Sequence, residues 1–524
     1  MSSRPLFSAA AAPTDRLLGA VVVAGIFLSF YLGLGSVPLF DLDEGAFTEA
    51  TREMLLRGDY ISTYLNGAPR FDKPVLIYWL QAVSVTLFGQ SEFAFRLPSA
   101  LCATAWVGFV FLFVRRLRDT NTGLLAAAFT ATAAGITVIG RAAIADALLN
   151  MLIAAACFSA YRFLADDDRR WLRAAFIAIG FGLLAKGPVA ILVPVATTFL
   201  FCLTTRDLAR WFRGVFDPVG WLLMLAIAAP WYVAQYAAQG DAFIQGFFFV
   251  HNINRFSAPK HGLNGSVFFY LPWLFVATLP FLAPVLNVLR RPFDVWADPA
   301  QRFCLIWFLF VLVFFSLSGT KLPHYAFYGY AGLFVLMALN ADRLRSGFWA
   351  LLPAALLFAA LLALPLALEQ FVGPKVRDAY YREALASAQA AFGPGYYVLA
   401  GVALAGTVVL AFLPRITIPL RLALAGCGMA ALLAGFVLPA AGTLQQEPVK
   451  EAALLARERG YHVVMWGLDT PSFIVYSGRL VAKRDPKPGE IALAKVKRLP
   501  ELPGYDELYR RNGIALVRVR ERQP

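Results

Sequence analysis

Charge is scarce in this chain. Asp, Glu, Lys and Arg make up 15% of its 524 residues, against about 25% in soluble globular proteins. Soft-metal ligands are scarce too, with four histidines and five cysteines. Cys102, Cys157, Cys202, Cys304 and Cys427 all fall inside apolar runs with no CxxC or zinc-type spacing. That excludes a disulfide framework or cysteine-based metal site and leaves them as small buried hydrophobes. No short period is present, which excludes collagen-like and repeat architectures. Hydrophobic residues, by contrast, make up 59% and aromatics 14%, with a mean hydropathy of +0.63. A soluble enzyme of this size has no means of hiding so much apolar surface, and a disordered chain would not carry so many aromatics. Lipid is the expected solvent.

Apolar runs long enough to cross a membrane occur near 17–39, 97–114, 122–140, 147–164, 172–186, 188–204, 219–236, 267–288, 303–318, 323–340, 347–369, 396–413 and 420–441. The sequence therefore predicts about thirteen spans of ~20 residues. The first run exceeds a signal-peptide core and lacks a small-residue cleavage site, so it is expected to be a retained span. Lys186-Gly187-Pro188 divides a run too long for one helix, and two helices are expected to meet there. With the N-terminus inside, every second loop is basic: Arg115, Arg116 and Arg118; Arg169, Arg170 and Arg173; Arg206, Arg210 and Arg213; Arg290 and Arg291; Arg343 and Arg345; Arg415 and Arg421. The net charge of +14 is thus chiefly a positive-inside signal, and nucleic acid is not an expected partner.

The outer face differs in kind. Its first loop, about residues 40–96, carries Asp41, Asp43, Glu44, Glu49, Arg52, Glu53, Asp59, Asp72 and Lys73, and Glu44–Leu56 has the pattern of an interfacial helix. Arg141 and Asp146 follow the third span; His251, Asn252, Asn254, Arg255, Lys260 and His261 lie on the 237–266 loop; Lys321, His324 and Tyr325 follow the ninth. All five lysines before residue 440 (Lys73, Lys186, Lys260, Lys321 and Lys375) fall on this side, against the topological bias. Residues 1–441 are expected to form the membrane domain and 442–524 a soluble outer α/β domain. Within the latter, helices are expected over Pro448–Arg459 and Asp469–Tyr476, and strands over His462–Trp466 and Ile514–Val519.

Carboxylates and cations at a lipid–water boundary suit reactions on phosphate-bearing lipids, the cation neutralising a phosphate leaving group and the carboxylate taking a proton from an incoming hydroxyl. Asp43, Glu44, Asp146 and Arg255 all fall at that depth. Each residue also has a plainer role open to it. Asp43 or Glu44 can cap the interfacial helix, Asp146 can pair with Arg141, Lys73 can anchor at the interface before Ile77-Tyr78-Trp79, His251 can be structural, and Arg52 and Glu53 can form a solvated or paired helix face.

The stretches Asp41-Leu42-Asp43-Glu44-Gly45, Glu49–Met54, Gly58-Asp59-Tyr60 and Phe71-Asp72-Lys73-Pro74 resemble the first outer loop of bacterial GT-C glycosyltransferases, and among them the ArnT-like aminoarabinose transferases of the protein O-mannosyltransferase superfamily. Arg141 with Asp146, Leu184–Pro188, Phe247–Arg255 and Ser316–Tyr325 continue the likeness in order. The resemblance implies a mainly α membrane protein of GT-C fold in the bacterial inner membrane with its active site facing the periplasm. It implies inverting transfer of a sugar from a polyprenyl-phosphate (undecaprenyl-phosphate) donor to lipid A or another glycan or protein acceptor, by a monomer. On this reading Asp43, Glu44 and Asp146 are catalytic, and Lys73, Arg255 and Arg141 hold the carrier phosphate. Tyr64, Lys186, Lys321, His324 and Tyr325 surround the cavity and acceptor, and Asp72 with His251 is a candidate pair for a divalent metal ion. Three features depart from the family pattern. Asp72 stands where Glu is usual, Ala46-Phe47 replaces an Arg-Tyr pair, and Lys321–Tyr325 has the form found in generic members. Sugar and acceptor therefore stay open. The competing classes are a secondary transporter or flippase of a polyprenyl-linked sugar, which would show internal repeats and mid-bilayer charges, and a non-catalytic scaffold, which leaves the outer carboxylates unexplained.

Overall fold

The computed structural model describes residues 13–254 and 266–521. Most of the chain is helical. Seven described helices are long and apolar enough to cross a membrane: Glu92–Leu117, Asp146–Asp166, Pro218–Gln239, Pro299–Leu317, Gly347–Lys375, Ala379–Phe412 and Ile418–Gln445. The pair Thr120–Thr132 and Ala134–Arg141 makes an eighth if its 66° bend is bridged, and four shorter apolar helices accompany them. The protein is thus a multi-pass membrane protein, although length and composition do not return the expected thirteen spans. The local reasons are visible. The 267–288 run breaks after Thr278 and resumes at Leu282, and the 323–340 run opens with a 3₁₀ segment, Pro323–Gly329. Helices Arg169–Lys186 and Val189–Thr205 do meet at Gly187-Pro188. Gly187 has φ +80°, and a Cβ there would lie 2.7 Å from the Phe247 ring, so both backbone and space demand glycine.

The outer loop is built around helix Asp43–Arg57, which places Asp43 and Glu44 in its first turn and ends on Gly58 in the left-handed region. This helix is not laid on a lipid surface. Glu44 through Met54 are all buried, packed against helices Leu76–Phe88 and Pro471–Ser477. Of the solvated or paired face open to Arg52 and Glu53, the paired form is found, and it is enclosed: Arg52 grips Glu49 through two hydrogen bonds of 2.7 and 2.8 Å, and Glu53 accepts from Arg57 and from the Gly67 amide. Gly67 belongs to a short hairpin, β1 (Tyr64–Leu65) and β2 (Ala68–Pro69).

The C-terminal unit is a five-stranded mixed sheet of β3 (Val463–Trp466), β4 (Ala482–Lys483), β5 (Ile491–Lys495), β6 (Tyr505–Arg511) and β7 (Ile514–Val519), in the order β4-β3-β5-β7-β6. β3 runs parallel to β4 and β5, whereas β7 is antiparallel to β5 and β6. Its helices are Glu447–Glu458 and Pro471–Ser477. Its core also takes in Tyr380 from the membrane chain, with Lys497 on Asp378 and Arg510 on Glu383. Packing thus reaches back beyond residue 442.

Candidate active site

A small polar cavity of 70 Å³ opens at the outer boundary, lined by Asp43, Phe47, Arg70, Asp72, Lys73, Ile144, Asp146, Lys186, Leu322, His324 and Tyr325. Through Lys73, Lys186 and Tyr325 it adjoins a 390 Å³ groove walled mainly by Pro188, Val189, Leu192, Phe248, Phe314 and Phe315. Charged head and apolar flank therefore lie side by side. A larger cavity of 860 Å³ lies on the C-terminal unit and contains none of the expected site residues.

Asp43 starts the helix Asp43–Arg57 and is exposed. Its carboxylate has no hydrogen bond or ion pair among the described residues, while its neighbours are fully engaged. Glu44 accepts from Arg96 Nε (2.8 Å) and Nη2 (2.6 Å), and from the amides of Phe40 (2.9 Å) and Ala143 (2.7 Å). Burial would raise its carboxyl, but Arg96 and the two amides hold it below its usual value. The expectation of a second reacting carboxylate beside Asp43 is therefore corrected: all the lone-pair directions of Glu44 are taken, and it fixes the loop to the membrane domain.

Asp146 sits at the start of its span with Lys186 Nζ 2.6 Å away, and Tyr328 donates to it at 3.1 Å. Lys186 also donates to the Tyr328 oxygen at 2.7 Å, and His324 Nε2 lies 3.8 Å from Asp146. Arg141 plays no part here. It turns away to the carbonyls of Leu32 and Gly33 at 2.8 and 3.1 Å, so the plainer Arg141–Asp146 pairing is not formed and the expected phosphate role of Arg141 is corrected. Its guanidinium satisfies the open end of the first span.

Arg70 donates to the Ala46 carbonyl (2.6 Å), lies 3.4 Å from Asp72 and stacks over Phe47. Lys73 Nζ donates to the Asp72 carbonyl at 3.1 Å. Asp72 Oδ1 is 2.5 Å from His251 Nδ1. Burial would raise the Asp72 carboxyl, but His251, Arg70 and Lys73 together hold it well below the carboxylate range. At 2.5 Å the Asp72 and His251 side chains form a direct ion-pair contact. No third His, Cys, Asp or Glu completes a metal cluster among the described residues.

Two further expectations are corrected by position. Tyr64 is on the hairpin, its hydroxyl on Asp59 (3.3 Å) and its ring under Arg57, outside both cavities. Lys321 is buried and donates to the Ser318 carbonyl at 2.8 Å, so it shapes the turn before His324 and does not line the site. Arg255 lies outside the described residues.

The sequence reading overlooked Arg70, Tyr328 and Arg96. Arg96 falls at the edge of the expected loop, and only the helix Glu92–Leu117, which starts earlier than the apolar run, draws it into the membrane domain. Arg70, three residues before Lys73, had none that separates it from an ordinary loop charge.

Residues 72–233 match the family described as dolichyl-phosphate-mannose-protein mannosyltransferase. The undecaprenyl phosphate-alpha-4-amino-4-deoxy-L-arabinose arabinosyl transferase of Shewanella sediminis is 30% identical over 331 residues, 61% of this chain and 59% of that one. The protein of the same name from Aeromonas hydrophila is 31% identical over 329 residues, 61% and 60%. The chain thus spans about 60% of the length of the curated relatives it matches. The crystal structure of ArnT from Cupriavidus metallidurans bound to undecaprenyl phosphate superposes with a TM-score of 0.81 at 21% identity, covering 97% of this chain and 98% of that one. The fold is ArnT-like, a GT-C membrane domain with a small C-terminal sheet domain.

Proposed function

We propose that this protein transfers a sugar from an undecaprenyl-phosphate carrier to lipid A or another envelope acceptor at the periplasmic face of the bacterial inner membrane. One observation carries the reading: Asp43, a carboxylate with no hydrogen bond or ion pair among the described residues, lines a polar cavity that shares Lys73 and Lys186 with an apolar groove. A phosphate at the shared lysines would leave its sugar toward Asp43 and its hydrocarbon chain along Phe248, Phe314 and Phe315. The relatives' names make 4-amino-4-deoxy-L-arabinose the first donor sugar to test.

The acceptor oxygen attacks the anomeric carbon from the face opposite the carrier, the bond from that carbon to the phosphate oxygen breaks, and the configuration inverts. Lys73 neutralises charge on the departing phosphate, with Arg255 the further cation that the sequence points to. A hydroxyl acceptor gives its proton to Asp43. A phosphate acceptor is already ionised, and Asp43 then orients it. Asp146, held by Lys186 and Tyr328, fixes the far wall. A divalent cation would be held by Asp72 and His251 and would add positive charge beside the carrier phosphate.

Asp43→Asn is expected to lower transfer of aminoarabinose from undecaprenyl phosphate to lipid A by about 10²–10⁴-fold, with membrane insertion and folding retained. Wild-type turnover by that variant sinks the assignment.

A further inference from the structure

The proposed chemistry gives the C-terminal unit no task, yet that unit grips the chain on both sides of Asp43. Upstream, the Asp41 carboxylate accepts from the Ser472 amide at 2.9 Å and from the Ser472 hydroxyl, and the Asp41 amide donates to Gln446 at 3.3 Å. Downstream, Gly45 presses on the same turn: a Cβ there would lie 2.5 Å from the Ser472 nitrogen and 2.3 Å from Asp41 Oδ1. Two supports surround this contact. Tyr476 accepts from the Leu39 amide (2.8 Å) and donates to Glu92 (3.0 Å), which Lys450 also holds. Asn66 exchanges two hydrogen bonds with the Val481 backbone, at 2.7 and 2.9 Å.

The place is informative. Ser472 follows β3 at its carboxyl end, where an open α/β sheet usually receives a ligand. Here that position receives Asp41 of the catalytic loop. Asp43 has no side-chain partner of its own among the described residues, so its direction depends on its backbone. That backbone is tied by Glu44 to Arg96 of the membrane domain and by Asp41 to Ser472 of the C-terminal unit.

We propose that Ser472 and Asp41 form a positioning device through which the C-terminal unit sets the aim of Asp43. The proposal rests on Asp43 being the reacting carboxylate. It requires the unit to be an integral part of the reacting site, and neither residue to touch the carrier.

Asp41→Ala and Asp41→Asn, with Ser472→Ala as the milder companion, test it in the full-length protein. An asparagine keeps an acceptor for the Ser472 amide and a donor for its hydroxyl. Displacing a reacting group by about 1 Å costs on the order of 10²-fold. Asp41→Ala is therefore expected to lose at least ~10-fold in kcat, with affinity for undecaprenyl phosphate within about twofold of wild type, and Asp41→Asn should recover most of the loss. Ser472→Ala should fall between them, and if Asp41→Ala fails to fold, its loss of kcat at intact carrier affinity decides the matter. Amide exchange over residues 45–48 should accelerate in Asp41→Ala and Ser472→Ala but not in Asp41→Asn. Equal damage by Asn and Ala, a parallel loss of carrier affinity, or wild-type kcat in Asp41→Ala overturns the proposal. If wild-type protein transfers no sugar at all, the functional reading fails, while the exchange measurement still reports whether Ser472 orders the Asp43 turn.

Discussion

Where the C-terminal unit meets the membrane domain, polar groups are matched with care. Asp41 has Ser472, Glu92 has Lys450 and Tyr476, and Asn66 has both groups of Val481. A few ångströms along the same loop the cavity is arranged otherwise. Asp43 has no hydrogen bond or ion pair among the described residues, and Asp72 stands between His251, at 2.5 Å, and Arg70, at 3.4 Å. Asp146 collects Lys186, Tyr328 and a nearby His324 at once. Charged groups that line a cavity are the ones placed to act on a ligand. On the proposed reading, the difference between contact and cavity separates groups that hold the loop in place from groups that would meet a substrate.

Removing a holding group should cost the most stability. Arg96→Met leaves Glu44 buried without its counter-charge, and breaking such a pair typically costs about 3–5 kcal/mol. Unfolding of purified protein in detergent should show a large drop for Arg96→Met and almost none for Asp43→Asn. Equal stability of the two variants would erase the distinction between holding and reacting carboxylates.

A second test uses pH. Burial pushes the Asp41 carboxyl up to about 7, against the lowering effect of its Ser472 hydrogen bonds and with Asp469 and Glu44 adding to the rise. Because this value exceeds that of an unfolded Asp, near 3.9, the folded state binds the extra proton. The stabilisation is complete below the unfolded value and is lost as pH climbs through about 7. Wild-type thermal stability should decline from pH 5 to 8 more steeply than that of Asp41→Asn, whose side chain stays neutral. Parallel slopes would show that Asp41 is not the titrating group.

Much of this was legible in the sequence, and the failures share a cause. Apolar runs and the Lys186-Gly187-Pro188 break are local signals, and helices lie over those runs and meet at that break, although the 267–288 and 323–340 runs are interrupted. Asp43, Asp72, Lys73, Asp146, Lys186, His251, His324 and Tyr325 were placed on one outer face from their order along the chain, and the structure gathers them around two joined cavities. Which way a side chain turns is not a local property. Glu44 is adjacent to Asp43, yet successive helical residues point about 100° apart, so one faces the cavity and the other Arg96. Arg141 was paired with Asp146 on nearness in sequence, whereas the carbonyls that bind it belong to the first span, more than a hundred residues away. The Asp41–Ser472 contact joins positions 431 residues apart, and no periodicity or motif announces it.

Tyr328 gives the finest division between the two kinds of group, because it belongs partly to each. Its ring is buried against Phe315, its carbonyl accepts from Trp307 at 2.8 Å, and its hydroxyl bridges Asp146 and Lys186. Tyr328→Phe keeps the packing and removes only the hydroxyl. Asp146 still has Lys186, so no buried charge is stranded, and the stability cost should stay near 1 kcal/mol, the usual net worth of one hydrogen bond. If Asp146 and Lys186 only brace the wall, turnover should stay within about twofold of wild type at that cost. If the hydroxyl fixes Lys186 where the carrier phosphate docks, the KM for the polyprenyl-phosphate donor should rise about tenfold while kcat stays within twofold, the signature of lost uniform binding. The shared lining of Lys186 and Tyr328 in the apolar groove favours the second result. A fall in kcat at unchanged KM would instead place Tyr328 with Asp43 among the groups that act in the transition state.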